Sequence, residues 1–110
     1  MDMLTKLEEL VLISVLKLKD RAYGISIYDF VVHKTGKKVS VSSVYFPLER
    51  LVRKGYLESF KGDPTPKRGG MRKKYYALTQ QGIAVLQANR ELNRTIWNDV
   101  DGIAARGAKG

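Results

Sequence analysis

Two segments of the chain concentrate side chains that bind phosphates or the edges of nucleobases. In the first, serine hydroxyls, aromatic rings and arginines recur within one short stretch. In the second, residues 63–74, five cations stand beside two glycines and two prolines. Lysine and arginine neutralise backbone phosphates, and serine hydroxyls donate hydrogen bonds to them. The candidate contacts with a nucleic acid are Ser42, Ser43, Tyr45, Phe46, Arg50, Arg53, Lys67, Arg68, Arg72, Lys73 and Lys74.

The sequence contains no set of residues that matches a known catalytic site. The chain contains one histidine, His33, and no cysteine, so a thiol nucleophile, a zinc site with cysteine ligands and a disulfide framework are excluded. A Ser, His and Asp set, a carboxylate pair and a phosphate-binding glycine loop are also absent at the spacings that catalysis requires. We expect no enzymatic activity, no metal site and no cofactor, and we interpret His33 as a residue on the surface of a helix.

The charge balance favours a polyanionic partner. Lys and Arg number 20 against 11 Asp and Glu, which gives a net charge of +9 at pH 7. The excess is +5 in residues 21–62 and +4 in residues 63–74. A hydrophobic content of 44% is too high for a disordered basic tail. No apolar stretch approaches the length of about 20 residues that spans a membrane, and no leader sequence is evident, so we expect a cytoplasmic protein without membrane association.

Capping residues define the first two helices. Thr5 and Glu8 have the spacing of a capping box, which predicts a helix that ends near Leu18. A second amphipathic helix begins at Gly24 and ends before Gly36, since glycine readily adopts the left-handed conformation of a helix C-cap.

The third helix has two distinct faces. Ser42 or Ser43 is expected to cap it, Gly55 to end it, and Pro47 to fall in or near its first turn. At 100° per residue, the predicted apolar stripe is Val44, Leu48, Leu51 and Val52. The predicted solvent face holds Ser42, Phe46, Glu49, Arg50 and Arg53, with Tyr45 on the flank.

The remaining residues predict a hairpin and one long helix. Strands are expected over residues 56–61 and 73–78, and Thr79 caps a final helix that runs at least to Val100. This order predicts a mainly α protein with a small β hairpin, a winged helix-turn-helix whose third helix enters the major groove of double-stranded DNA and whose hairpin is the wing. The predicted organisation is a winged helix DNA-binding domain over 1–78, a C-terminal dimerisation helix over 79–103 and a flexible tail over 104–110.

Apolar side chains exceed what one small core can cover. The segment Leu10 to Leu16 is apolar on nearly every side, and the last helix carries a broad apolar arc that Asn89 and Asn93 interrupt. These asparagines fix the helix register or lie exposed at the edge of the arc. We therefore expect a homodimer, with Leu10, Val85, Leu86, Leu92, Ile96, Trp97 and Val100 at its interface.

Three short motifs lie in and just after the predicted third helix: Val44-Tyr45, Leu48-Glu49-Arg50-Leu51 and Lys54-Gly55-Tyr56-Leu57. They resemble the recognition-helix signature of PadR-type regulators, and the resemblance covers roughly residues 4–100. The match continues through Asp63-Pro64-Thr65-Pro66, Arg68-Gly69-Gly70, Lys74-Tyr75-Tyr76, Leu78-Thr79 and Gly82, and Tyr23-Gly24 with Ile27 resembles its second-helix entry. In many members a proline directly follows the recognition-helix tyrosine, whereas Phe46 intervenes here before Pro47.

The resemblance implies a homodimeric prokaryotic repressor whose C-terminal helix packs against the N-terminal and C-terminal helices of its partner. It also implies a response to small aromatic or toxic compounds. Trp97 is interpreted first as a packing residue of the dimer interface and second as a stacking residue for such an effector.

Several alternatives remain open at this point. Tyr45 contacts a phosphate or flanks the core, and Arg53 contacts DNA or stabilises the helix C-terminus. At the level of the whole protein, the alternatives to a sequence-specific regulator are a winged helix that binds proteins and a nonspecific architectural protein, whose affinity follows salt alone.

Overall fold

The computed structural model describes residues 3–62 and 73–107. Its helices and strands follow the order that the sequence predicts. A 3₁₀ turn, Lys19–Arg21, connects the first two helices. The elements are α1 (Lys6–Leu18), α2 (Gly24–Thr35), α3 (Val41–Arg53), β1 (Leu57–Lys61), β2 (Lys74–Leu78), α4 (Gln80–Trp97) and α5 (Val100–Gly107).

The predicted caps of α1, α2 and α4 are confirmed. The Thr5 hydroxyl accepts from the Glu8 backbone N–H at 3.0 Å, and the Glu8 carboxylate accepts from the Thr5 backbone N–H at 2.8 Å. Gly36 ends α2 with a φ of +66°, in the left-handed region. The Thr79 hydroxyl accepts from Gly82 N–H at 3.0 Å and so caps α4.

The start of α3 differs from the prediction. Ser40, and not Ser42 or Ser43, is the N-cap, and its hydroxyl accepts from the Ser43 backbone N–H at 3.3 Å. Ser40 takes the extended backbone conformation that an N-cap requires. Because the helix begins at Val41, Pro47 lies in its second turn and not in the first.

The C-terminal helix is broken where one continuous helix was predicted. The helix α4 ends at Trp97, and Asp99 has a φ of +67°. That left-handed conformation is incompatible with a continuous α-helix, so the chain changes direction before Val100 begins α5. Residues 104–107, which were assigned to a flexible tail, belong to α5.

The core lies where α1, α2 and α3 meet, and the hairpin and the start of α4 close it. Apolar side chains at helical spacing supply the buried surface, as expected for amphipathic helices around one core. The predicted stripe of α3 is largely confirmed, with Val52 half-buried and the rest buried. The buried apolar residues are Val11, Leu12, Val15, Ala22, Ile27, Val31, Val44, Leu48, Leu51, Leu57, Tyr76 and Val85.

The hairpin is antiparallel and joins the helical part at its base. Leu57 pairs with Leu78, and Phe60 pairs with Tyr75. Beyond this ladder, the Tyr76 backbone N–H donates to the Ala22 carbonyl at 2.9 Å, and Tyr23 forms a bridge with Tyr75. The chain just before α2 therefore acts as a short third strand beside β2.

Apolar side chains stay exposed on α1, α4 and α5, as the sequence indicates. Leu16 is 53% exposed, and Ile96, Trp97 and Ile103 are 57–65% exposed. A groove of about 400 Å³ runs between α1 and α4. Its lining residues are Glu9, Ile13, Leu16, Ile83, Leu86, Gln87 and Arg90.

Some residues expected at a dimer interface contact the core of this chain. Val85 is 6% exposed and belongs to the core, because the first half of α4 packs on the winged helix. Leu10 and Leu86 are half-buried against the same core. Asn89 is buried, and its side-chain amide donates to the Glu9 carboxylate at 2.9 Å, so this asparagine fixes α4 to α1.

Other sequence expectations concern the surface. His33 is exposed in the last turn of α2, as predicted. Among residues 3–62 and 73–107, no helix combines the length and the apolarity that crossing a membrane requires.

Candidate nucleic-acid interface

One face of α3 is open to solvent. Ser42, Phe46 and Arg53 are exposed there, and the Phe46 ring is 70% exposed although it is large and apolar. An exposed ring on a helix that presents hydroxyls and a guanidinium suits contact with groove edges, including thymine methyl groups. This face agrees with the predicted one for these three residues.

The three serines at the start of α3 form one hydrogen-bonded cluster. The Ser40 hydroxyl lies 2.7 Å from that of Ser43 and 3.2 Å from that of Ser42. Ser42 is exposed and Ser43 is half-buried. A phosphate at this position would meet hydroxyls that are already oriented by one another, with Ser40 and Ser42 more exposed than Ser43.

Tyr45 packs between the second and third helices. It is half-buried and contacts the core. A Cβ atom on Gly24 would lie 2.5 Å from the Tyr45 hydroxyl oxygen, so a larger residue at position 24 would displace the Tyr45 ring. Tyr45 therefore flanks the core, as one of the two interpretations requires. Its contact with a phosphate stays a prediction.

Arg50 points toward α1 and not only toward solvent. Its Nε donates to Glu8 Oε2 at 3.0 Å, and Lys54 Nζ lies 3.5 Å from the same oxygen. The Glu8 side chain is 3% exposed, whereas that of Arg50 is 41% exposed. Arg50 was predicted on the solvent face, and the buried carboxylate explains the difference because it requires a cation nearby.

The ionisation of Glu8 reflects these contacts. Burial acts to raise the pKa of this carboxyl, but the Thr5 backbone N–H, the Arg50 hydrogen bond and the charges of Lys54 and Arg50 together hold it below its usual value of 4.5. Glu8 is therefore a carboxylate that ties α1 to α3.

Glu49 connects α3 to the wing. Its Oε1 lies 3.1 Å from Lys74 Nζ and accepts from the Tyr76 hydroxyl at 3.4 Å. Burial, together with the charge and hydrogen bond of Glu49, raises the pKa of Tyr76 to about 12, so this tyrosine is a neutral donor at physiological pH. Glu49, predicted on the solvent face of α3, thus has a lysine and a tyrosine of β2 as its partners.

Lys73 has an aromatic partner. Its Nζ lies 3.7 Å from the centroid of the Tyr23 ring, which in turn meets the Tyr75 ring edge-on at 5.6 Å. Lys73 is half-buried. The other predicted wing contacts, Lys67, Arg68 and Arg72, lie outside the described residues.

These groups border a shallow pocket between α2, α3 and the base of the wing. It has a volume of about 360 Å³. Its walls combine three tyrosines, two lysines and one carboxylate, and the lining residues are Tyr23, Gly24, Ile25, Tyr45, Glu49, Lys73, Lys74 and Tyr76. The structure thus brings part of the predicted wing set next to the recognition helix.

Two residues of this interface were missed by sequence reasoning. Glu8 was assigned only to a capping box, and Tyr23 only to a resemblance. Their partners, Arg50 and Lys73, are 42 and 50 positions away along the chain, and periodicity and spacing carry no signal for such long-range pairs.

Comparisons with known proteins place the chain among DNA-binding regulators. The model of a family described as "Transcriptional regulator PadR-like family" matches residues 12–88. None of the curated proteins matches. Solved structures do match, and they share the fold at low sequence identity.

Three solved structures illustrate this likeness. A transcriptional regulator from Clostridium thermocellum has a TM-score of 0.69 at 21% identity, and the match covers 87% of each chain. A PadR-like transcriptional regulator from Bacillus cereus has a TM-score of 0.68 at 21% identity, covering 94% of this chain and 92% of that one. A PadR family transcription regulator from Clostridium difficile has a TM-score of 0.63 at 21% identity, covering 93% and 97%. The predicted winged-helix fold is confirmed.

Proposed function

Because the chain belongs to the PadR-like family of transcriptional regulators, it is a DNA-binding regulator and not an enzyme, and we propose that it acts as a sequence-specific, homodimeric repressor in a prokaryotic cytoplasm. The observation that carries this proposal is the exposed face of α3, which presents Ser42, Phe46 and Arg53 on a helix that Glu49 joins to Lys74 of the wing. An apolar ring that is 70% exposed packs little against the described part of the chain, and contact with base edges would give it a role.

The DNA contacts divide by chemistry. Ser42, Ser43 and Tyr45 are proposed to meet the phosphate backbone, and Phe46 and Arg53 to face the major groove. Lys73 with Lys67, Arg68 and Arg72 is proposed to follow the adjacent backbone or the minor groove. Arg50 and Lys54 lie against a buried carboxylate, so we place them among the groups that hold α3 in position.

The proposed dimer is supported by the exposed apolar surface. Ile96, Trp97 and Ile103 are exposed near the C-terminus, and the groove between α1 and α4 offers apolar walls at Ile13 and Leu16. Covering these side chains removes apolar area from water, which is the main favourable term in association. A dimer also matches the two half-sites that a helix-turn-helix protein reads. Leu92, which is half-buried, and Val100 complete the proposed interface.

Repression and release by an effector are the part of the proposal that rests on the family resemblance. Trp97, 65% exposed in the last turn of α4, is proposed to pack at the dimer interface. Its indole is also the group on which a small aromatic compound would stack. Quenching of Trp97 fluorescence by such a compound, together with weaker DNA binding, tests this role, and a titration that changes neither removes it.

The proposal is tested by fluorescence anisotropy. The purified protein is titrated against its own upstream promoter fragment and against a scrambled duplex of the same length, each over a series of salt concentrations. We expect promoter binding to survive salt that abolishes binding to the scrambled duplex. Equal and steeply salt-dependent binding to both would identify an architectural protein, and no binding to either would favour a winged helix that binds proteins.

A further inference from the structure

Two consecutive lysines at the base of the wing have chemically different surroundings. Lys73 and Lys74 adjoin in sequence, and both border the pocket between α2, α3 and the base of the wing. The Nζ of Lys74 lies 3.1 Å from Glu49 Oε1 of α3. The Nζ of Lys73 lies 3.7 Å from the centroid of the Tyr23 ring, just before α2.

Because of these surroundings, the net charge of each lysine together with its partner differs. The Glu49 carboxylate neutralises Lys74, so that pair is electrically balanced before any DNA arrives. The partner of Lys73, within the described part of the chain, is an aromatic ring. A ring attracts the ammonium through its quadrupole but carries no charge that would cancel it. Of the two lysines, Lys73 is the one whose charge is not offset by a carboxylate of residues 3–62 or 73–107.

Tyr23 is itself held firmly. Its ring meets Tyr75 edge-on at 5.6 Å, and Tyr75 stacks on Phe60 with ring centroids 5.9 Å apart. The backbone adds the bridge between Tyr23 and Tyr75 and the hydrogen bond from Tyr76 N–H to the Ala22 carbonyl at 2.9 Å. The ring beneath Lys73 is therefore fixed to the wing and to the start of α2 at the same time.

We propose that Lys73 is the phosphate-binding lysine of the wing base, that Tyr23 is the positioning residue that holds its ammonium toward DNA, and that Lys74 holds the wing against α3 through Glu49. Holding the ammonium on a rigid ring lowers the side-chain entropy lost on binding. This inference rests on the proposed function, since it assigns roles within the DNA interface.

The first test needs no DNA. A ring current shifts protons above an aromatic face upfield, so the methylene protons next to the Lys73 ammonium should resonate upfield of those of the other lysines in NMR spectra of the free protein. Tyr23→Phe should keep this shift, and Tyr23→Leu should abolish it. A Lys73 side chain with ordinary chemical shifts in the wild type would overturn the positioning role, whatever the protein binds.

The second test is a salt series of anisotropy titrations with a mixed-sequence duplex. Lys73→Met should lower the slope of log K against log salt by about 0.9, the loss of one phosphate contact. Tyr23→Leu should weaken binding by about two- to fivefold, as expected for loss of one exposed cation–π contact, and should have no further effect in the Lys73→Met background. Tyr23→Phe should bind as the wild type does.

Two control variants separate this role from net charge. Lys34→Met removes the same charge from a lysine that lies 5.7 Å from the Phe30 ring on α2, and it should leave the slope nearly unchanged. Glu49→Gln with Lys74→Met removes the ion pair at constant net charge, and it too should retain the slope. If Lys73→Met behaves like Lys34→Met while the wild type binds DNA, the role of Lys73 is wrong and the proposed function stands.

The remaining outcomes are equally decisive. If the wild type fails to bind any duplex, the proposed function is wrong, and the assignment of Lys73 falls with it although the NMR shift remains. If Tyr23→Leu does not fold by circular dichroism, Tyr23→Phe and Lys73→Met carry the test, since one must retain the slope and the other must lose it.

Discussion

Replacing Glu8 with glutamine should destabilise the fold by detaching α3 from α1. The carboxylate is 3% exposed, and it accepts from the Thr5 backbone N–H, Arg50 Nε and Lys54 Nζ at 2.8, 3.0 and 3.5 Å. Glutamine has the same shape and retains one acceptor oxygen for Thr5. Its amide nitrogen, however, can only donate, so it cannot accept the hydrogen bonds that Arg50 and Lys54 donate to Glu8.

The size of the effect follows from the exposure of the three charged side chains, Glu8, Arg50 and Lys54. Breaking a fully buried ion pair costs about 3–5 kcal/mol, and breaking an exposed one costs about 0–1 kcal/mol. Here the carboxylate is buried, but the Arg50 and Lys54 side chains are 41% and 35% exposed and can turn to water. We therefore expect Glu8→Gln to lower the free energy of unfolding by about 2 kcal/mol, or Tm by about 10 °C.

The measurement is urea denaturation followed by circular dichroism, at one protein concentration for all variants because a dimer's stability depends on it. The matched control is Glu91→Gln, which breaks an exposed pair with Arg94 on α4 and should change stability little. If Glu8→Gln and Glu91→Gln unfold at the same urea concentration, the link between α1 and α3 does not stabilise the fold.

The pH dependence gives an independent check of the same contact. The pKa of Glu8 is lower in the folded state than its usual value of 4.5, so the unfolded chain binds more protons in the window below 4.5. Stability from Glu8 is thus present above that pH and is lost as the pH falls through the folded-state pKa. Glu8→Gln should flatten the acid limb of the stability profile, and an unchanged acid limb would contradict this assignment.

Three further predictions address the interface, the dimer and the packing of α4. Phe46→Ala should reduce discrimination between promoter and scrambled duplex several-fold at an unchanged salt slope, and equal discrimination in anisotropy titrations would remove Phe46 from base reading. Ile96→Asp should give folded monomers by light scattering, whereas the neighbouring exposed control Thr95→Asp should remain dimeric; a dimeric Ile96→Asp variant would exclude this surface. Gly82→Ala should cost about 1–3 kcal/mol because its Cβ would clash with the Tyr56 carbonyl oxygen, whereas Gly102→Ala, with open space around it, should not destabilise the protein in thermal unfolding.

Most of the fold could be predicted from the sequence because helix caps form between residues that are close together in the chain. The capping box of Thr5 and Glu8, the left-handed Gly36 and the Thr79 cap each need only a few adjacent positions to act. The start of α3 was predicted two or three residues late for a related reason. Ser40, Ser42 and Ser43 are all good N-caps by residue type, so local chemistry could not choose among them.

The break between α4 and α5 was missed because apolar residues continue across it. Ile96, Trp97, Val100 and Ile103 keep a helical spacing, which indicates one uninterrupted helix. The break depends on the left-handed backbone of Asp99, and Asp is among the residues that tolerate this conformation without requiring it. Periodicity reports which face is apolar, and it does not report whether the axis stays straight.

The division of cations into structural and exposed groups was not accessible from the sequence, since it depends on contacts between distant segments. Glu8 engages Arg50 and Lys54, and Glu49 engages Lys74. Composition alone counts each of these cations toward the charge available for phosphate. Among the predicted contact cations that lie within residues 3–62 and 73–107, the structure instead leaves Arg53 and Lys73 without a carboxylate partner of this kind.

This division has a measurable consequence for the salt dependence of DNA binding. The slope of log K against log salt counts the phosphates that cations neutralise, at about 0.9 for each contact with duplex DNA. Consider the five cations Arg50, Arg53, Lys54, Lys73 and Lys74: three of them, Arg50, Lys54 and Lys74, already lie near carboxylates. The contribution of these five residues to the slope should therefore be nearer two contacts than five. A mutant series that removes them one at a time should show two large decrements, at Arg53 and Lys73, and three small ones.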